Sequence, residues 1–270
     1  MTPFHHRPHG ALLGLTVLGS GSDGNAMVLH GEAGGLLLDA GFSAAELKRR
    51  LAAAGIPESW LRAALITHEH GDHVKGLRVA AAAFGIPVYC NRMTAEAIRQ
   101  SGAAPEATLN LFTSGAPFEL HGFRIEPFSI SHDAADPAAF TIHQGGRKIA
   151  IVTDLGHAGS LVQHHLRDSD LLVIESNHDV AMLMASGRPL HVKRRILGKH
   201  GHLSNEACMA LLTDVLQPRT RHVVFVHASR ECNRYELVEQ CARKCLTRLG
   251  RPDLLPLVAR QDAGLPTLWA

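Results

Sequence analysis

Along the chain, short apolar runs alternate with longer, alanine-rich stretches of helical spacing. Ala26–His30 and Gly35–Asp39 read as strands, the second (GLLLD) ending in an acid. Ser43–Ala54 has helical spacing, with Ser43 as N-cap and Glu46 at N3, the pattern of a capping box. Ala63–Ile66 is a strand, Val74–Phe84 a helix, Pro87–Cys90 a strand and Thr94–Gln100 a helix. From Leu109 to Val152 the pattern turns to strands, at Phe118–Leu120, Phe123–Phe128, Phe140–His143 and Lys148–Val152, with Gly145-Gly146 as a hairpin turn. Leu171–Glu175 (LLVIE) is a buried strand. Ser204–Leu216 is a helix capped by Ser204, Arg221–Val226 a strand and Arg234–Leu249 a helix. No repeat, low-complexity block or linker interrupts this order, which predicts a single layered α/β (α+β) domain over 14–270. Residues 1–13 begin MTPFHHRPHG and are expected to form a flexible tail. Ala11–Leu18 has the look of a signal core. No small-residue cleavage site follows it cleanly, and it leads instead into the glycine-rich turn Gly19–Asn25 and a returning strand.

Composition narrows the class. Hydrophobic residues make up 46% of the 270 and charged residues 19%, which excludes global disorder. No apolar run reaches the ~18 residues of a membrane span. Five cysteines without a C-x-x-C pair fit a reduced, cytoplasmic protein. The net charge is only +2, but Arg supplies 21 of the 27 basic residues, and its planar fork suits phosphate. That bias is compatible with an anionic substrate and equally with a compositional origin. The unusual count is 19 histidines, against 2 tyrosines and 2 tryptophans.

The histidines concentrate where chemistry is expected. Thr67-His68-Glu69-His70-Gly71-Asp72-His73 follows the strand Ala63–Ile66 and is read as a loop. In extended backbone His68 and His70 point the same way, and Gly71 permits a turn that brings Asp72 and His73 round. Imidazole with carboxylate suits Zn, Mn or Fe rather than Ca. This H-x-H-x-D-H element resembles the signature of the metallo-β-lactamase superfamily. The resemblance implies an αββα sandwich, two mixed β-sheets flanked by helices, with two divalent ions between the sheets. It also implies three later ligands at strand ends, which His132, Asp154 and His227 supply in order. By the same resemblance His68, His70 and His132 take one ion, Asp72, His73 and His227 the other, and Asp154 bridges them.

Fold alone does not fix the reaction. Gly201-His202-Leu203-Ser204-Asn205 resembles the Gly-His element of ribonuclease Z-like phosphodiesterases, in which the His sits by the scissile phosphate. Gly19–Asn25, Ser131–Pro137, Glu175–Asp179, Arg194–Glu206 and His227–Asn233 together resemble the YycJ/WalJ-type exonucleases, from about residue 14 to about 235. Ala228 departs from that pattern, where a larger apolar residue is usual. The resemblance implies degradation of DNA from 5′ ends, with a hydroxide between the two ions as nucleophile. Asp72 would orient it and His202 would act as general acid. Ser20, Ser22, Asn25, Ser204, Asn205, Arg230 and Asn233 are candidate substrate contacts, with Arg194, Arg195 and Arg234 as further phosphate partners. The His132–Asp154 interval is too short for the tRNA-gripping arm of ribonuclease Z, and Asp154–His227 leaves no room for a β-CASP domain. The competing readings are a lactone or thioester hydrolase of the same fold and a nucleic-acid-binding module with a structural metal. No membrane partner is expected, and the oligomeric state is open, a homodimer included. His164, His165 and His178 are read as surface or capping groups, the cysteines and tryptophans as packing residues.

Overall fold

The computed structural model describes residues 13–103 and 109–270. Apart from Leu13, the expected tail lies outside the described residues. Two seven-stranded sheets face each other. The first runs in the order β14 (Leu268–Trp269), β1 (Gly14–Gly19), β2 (Ala26–His30), β3 (Gly35–Leu38), β4 (Leu61–Leu65), β5 (Val88–Asn91), β6 (Leu109–Phe112). The second runs β13 (Pro256–Val258), β12 (His222–Val226), β11 (Leu171–Glu175), β10 (Arg147–Val152), β9 (Ala138–Gln144), β8 (Phe123–Ser129), β7 (Phe118–Leu120). Each sheet is antiparallel on one side and parallel on the other. In the first the change comes at β3, in the second at β10. Strands β1, β2, β3 and β11 are buried on both faces, so they read as mostly continuous apolar runs rather than alternating ones.

Alternate side chains along a strand serve opposite faces. Leu36, Leu38, Ala63 and Leu65 meet Phe140, Ile142, Val173 and Val224 in the layer between the sheets. Leu37, Ala64 and Ile66 pack outward under α1 (Ala44–Ala53), α3 (Leu77–Phe84) and α4 (Arg92–Gln100). Leu172, Ile174 and Phe225 pack outward under α5 (Ser160–Leu166), α8 (Asn205–Val215) and α9 (Tyr235–Arg248). The order is therefore helix, sheet, sheet, helix, the expected sandwich.

Local expectations fare unevenly. Gly145 and Gly146 turn the β9–β10 hairpin with φ of 58° and 74°, as a two-residue turn of this kind requires. Ser43 Oγ accepts the Glu46 N–H, but the Glu46 carboxylate turns along the helix to Arg49 and Arg50, so only half of the capping box forms. The helix expected over Val74–Phe84 is broken. A single turn, α2 (Gly71–Val74), precedes α3, and the segment read as a loop after His70 is helical from Gly71 onward. The break falls where Gly76 N–H donates to Ala40 O, an approach so close that a Cβ on Gly76 would lie 1.8 Å from Phe42 O. Three helices, α5, α6 (Val180–Ala185) and α7 (Leu190–Leu197), were not legible. Each is only six to eight residues long and buries just one or two side chains, Val162 and Leu166 in α5, Leu183 in α6 and Ile196 in α7, too few to set a helical period.

Candidate metal centre

Most side chains of the centre come from the C-terminal ends of strands, where the two sheets open on one edge. After β4 the chain bends at Thr67, His70 takes the N-cap position of α2, and the single helical turn delivers Asp72 and His73. Asp39 follows β3, Asp154 follows β10 and His227 follows β12. All three hold left-handed backbone, with φ of 58°, 54° and 57°. Such conformations cost about 1–3 kcal/mol outside glycine, and Asp and His are among the residues that tolerate them best. Each redirects the chain sharply at the mouth of the sandwich. Glu175 ends β11, and His132 and His202 sit on loops beyond β8 and α7.

Two groups of donors form. Atoms of His68, His70 and His132 lie within 4.8 Å of one another, as do atoms of Asp72, His73, Asp154 and His227. Asp154 reaches toward both: Oδ2 is 3.1 Å from His73 Nε2, and Oδ1 is 3.8 Å from His132 Nε2 and 3.3 Å from His227 Nδ1. A third group joins Asp154, Glu175, His202 and His227. Asp72 is 22% exposed and His70 half-buried, whereas Asp154 and His73 are buried, so the centre opens on the Asp72–His70 side.

Behind the donors lies a layer of orienting bonds. Asp39 Oδ2 holds His73 Nδ1 at 2.7 Å and accepts from Thr67 Oγ1, whose own oxygen lies 3.0 Å from His68 Nδ1. Gly201 O faces His132 Nδ1 at 3.1 Å. Glu175 Oε1 is 2.8 Å from both His227 Nδ1 and His202 Nδ1, while its Oε2 accepts from the Leu155 and Leu203 N–H groups. These partners fix ring orientation and leave Nε2 of His68, His73, His132 and His227 for the cleft. Sequence reasoning had passed over Asp39 and Glu175 as site residues. The signal was present, because both end an otherwise all-apolar strand, where an acid is costly unless it is put to use.

The electrostatics call for positive charge. Burial would raise the Asp154 pKa, but the imidazoles of His227 and His73 hold it well below the usual carboxylate range. Burial likewise acts against Glu175, yet His202 and His227 bring it down to about 2. Conversely, burial would lower His73 and His227, but Asp154 with Asp39, and Asp154 with Asp72, hold them well above the ordinary value. His68 and His132 are pushed down, chiefly by burial and further by neighbouring histidines, against the opposing pull of Asp154. His68 Nε2 is buried without a hydrogen-bond partner, and His70 Nδ1 and His132 Nε2 face each other at 3.3 Å. Lone pairs that converge in this way, beside carboxylates seeking positive charge, fit a divalent cation of the imidazole-binding kind.

The other expected contacts are placed less directly. Ser20 and Asn25 are buried. Ser20 Oγ donates to Asn25 Oδ1 and accepts the His227 N–H, and Asn25 Nδ2 lies 3.1 Å from His73 Nε2 and 3.3 Å from Asp72 Oδ2. Asn205 and Asn233 are also buried and spend their amides on each other and on Ser176. Ser204 Oγ caps α8. These five act on the cleft by holding its walls. Ser22 is exposed, and Arg230 pairs with Asp23 on the rim. His178, read as a surface group, is instead buried with neither ring nitrogen hydrogen-bonded. His165 stacks on Phe128, with ring centroids 4.2 Å apart.

The sequence profile of a β-lactamase superfamily domain matches residues 35–228. The chain is 34% identical over 239 residues to the exodeoxyribonuclease YycJ of Bacillus anthracis, covering 88% of this chain and 90% of that protein. It is 33% identical over 242 residues to the exodeoxyribonuclease WalJ of Streptococcus pneumoniae serotype 2 (strain D39), covering 88% and 89%. Among solved structures, the metallo-β-lactamase fold protein YhfI from Bacillus subtilis superposes with a TM-score of 0.71 at 14% identity, covering 94% of this chain and 99% of that one. The short form of human tRNase Z superposes with a TM-score of 0.61 at 18% identity, covering 93% and 98%. Fold, donor clusters and matches agree: the chain belongs to the metallo-β-lactamase superfamily, in the group that holds the YycJ and WalJ proteins. It is a metal-dependent hydrolase. None of the described helices is long and apolar enough to cross a membrane.

Proposed function

We propose that the protein is a binuclear-metal phosphodiesterase that degrades DNA from 5′ ends. His68, His70 and His132 would hold one ion, Asp72, His73 and His227 the other, with Asp154 shared. Bound there, Zn, Mn or Fe would lower the pKa of water toward neutrality and offset the charge of the scissile phosphate. Asp72, the most exposed carboxylate of the centre, is positioned by Asn25 to orient the attacking water. The observation that carries the reading is the pairing of His202 with Glu175. Its Nδ1 is held at 2.8 Å by a buried carboxylate that raises its pKa against the effect of burial. The ring lies 5.0 Å from that of His132 and 5.2 Å from that of His227, beside both donor groups. With Nδ1 so held, Nε2 is the nitrogen that gives a proton to the leaving 3′ oxygen. An acyl-lactone hydrolase needs no such acid beside a phosphate, and the exodeoxyribonuclease relatives support DNA.

A His202→Ala protein tests this. It is expected to keep its metal by elemental analysis and to lose about 10²–10⁴-fold in turnover on 5′-labelled DNA, the range of a general acid. Full turnover in that variant removes His202 from the reaction. Faster turnover of an acyl-lactone than of a phosphodiester by the parent protein overturns the substrate class.

A further inference from the structure

The segment that delivers His202 is unlike the rest of the chain in charge. From 180 to 205 it carries Arg188, Lys193, Arg194, Arg195 and Lys199, with no Asp or Glu. These five cations exceed the net +2 of the whole protein, so the remainder is net acidic. The segment is also firmly seated. Ile196 packs with Leu183 and Cys232, and Lys193 Nζ donates to Met184 O and Ser186 O, tying α7 to α6. Its end is pressed against the loop after Asp154: a Cβ on Gly156 would lie 2.3 Å from Lys199 O, and one on Gly201 would lie 2.1 Å from Ile196 O.

The seat is beside the metal centre. Arg195 Nη1 is 3.3 Å from Asp133 Oδ2, and the other oxygen of Asp133 is 3.4 Å from His132 Nε2. Next along α7, Leu190, Arg194 and Leu197 fall at helical spacings of four and three and so share one face. Leu190 and Leu197 are 55% and 45% exposed, and Arg194 between them is exposed. Neither Arg194 nor Lys199 has an ion pair or side-chain hydrogen bond among the described residues. An unpaired Arg194 between exposed Leu190 and Leu197 on the helix, followed by unpaired Lys199 on the turn after it, matches a nucleic-acid strand, whose phosphates take the charge while sugars and bases lie on the apolar groups.

We infer that α7 and the turn through Lys199 form a track for single-stranded DNA leading away from the metal centre, with Arg194 and Lys199 on successive phosphates. The inference rests on the DNA-hydrolase reading and adds where the strand lies. The test is a Arg194→Ala/Lys199→Ala protein beside a control that loses the same charge at Arg62 and Arg243, on β4 and α9. Binding of a phosphorothioate-linked DNA strand of about 20 nucleotides, longer than a typical single-strand site, is followed by fluorescence anisotropy across a salt series. The track predicts about tenfold weaker binding for the α7 variant and a log–log salt slope smaller by about 1.4, one ~0.7 step per phosphate contact. It also predicts a fall of about tenfold in kcat/KM for unmodified DNA relative to bis(p-nitrophenyl) phosphate, with no such fall in the control. An Arg194→Lys/Lys199→Arg protein, which keeps the charge, restores the slope. Parent-like affinity and slope in the α7 variant overturn the track while leaving the nuclease reading intact. A parent protein that hydrolyses the small diester but neither binds nor cuts DNA overturns both.

Discussion

The two sheets build their halves of the centre in different ways. The first contributes His68, His70, Asp72 and His73 from one continuous segment, shaped by a strand end and a single helical turn. The second contributes His132, Asp154, Glu175, His202 and His227 one at a time, from five separate places: parallel pairing of β10, β11 and β12 aligns Asp154, Glu175 and His227, while His132 comes from the loop after β8 and His202 from the loop after α7. In register, Val152 lies beside Ile174, and Glu175 beside Val226. A ligand placed just after each strand therefore reaches the same edge. A contiguous cluster tolerates error in the packing of remote elements, whereas a distributed one exists only if the sheet is in register. The second half also carries Asp154, whose two carboxylate oxygens lie 3.1 Å from His73 Nε2 and 3.8 Å from His132 Nε2, toward both donor groups.

This contrast can be broken most decisively at Asp154. In an Asp154→Asn protein, metal content should fall in both donor groups and hydrolysis should drop below detection, whereas His70→Ala should deplete one group first. Near-normal metal content in Asp154→Asn, measured by elemental analysis, would mean that the contiguous segment suffices. The orienting carboxylates come next. Removing the charge of Glu175 (Glu175→Gln) or of Asp39 (Asp39→Asn) is expected to weaken metal affinity by about 10–100-fold, read by competition with a chelator. The Glu175 change should also lower turnover at saturating metal, because Glu175 holds His202 as well as His227. Equal turnover losses in the two variants would erase the distinction between the halves. The smallest effect lies away from the centre. Hydrogen bonds from Arg49, and then Arg50, hold the Glu46 pKa down to about 2 from its ordinary 4.5. A depressed carboxyl contributes stability that is present above its unfolded pKa and is lost as pH falls through its folded one. Glu46→Gln should thus lower Tm by no more than about 3 °C at pH 7, since the pair is solvent-screened, and by progressively less as pH falls from about 4.5 through 2.

Legibility followed the same division. The segment His68–His73 was readable because four ligand-type residues within six positions have few other uses. His132, Asp154 and His227 were readable only as an ordered set of strand-end residues within a family pattern, since each alone could be a loop or capping group. Asp39 and Glu175 were visible as acids closing apolar strands, but nothing local says that they face imidazoles. Asn205 and Asn233 were expected to contact substrate because they lie in the segments that carry the family resemblance. In the fold their amides are turned inward to join α8 to the loop after β11. The helix expected over Val74–Phe84 begins only at Leu77, because Gly76 is pressed against Ala40 O and Phe42 O, contacts remote in sequence.

The sequence by itself determined the layered α/β order and the chemical kind of the centre, and the sandwich followed from the family its H-x-H-x-D-H segment resembles. Strand and helix periodicity are local, and a cluster of imidazoles and carboxylates has a chemistry of its own wherever it is placed. Only the tertiary structure decided which atoms face the cleft and which serve as braces, because that depends on side chains meeting across sheets and loops far apart in the chain. It also decided that the acid-free stretch before His202 lies along the mouth of the centre rather than on the far side. That placement comes from α7 packing on Cys232 and from the turn after it, at Lys199–Gly201, wedging against Gly156 in the loop after Asp154.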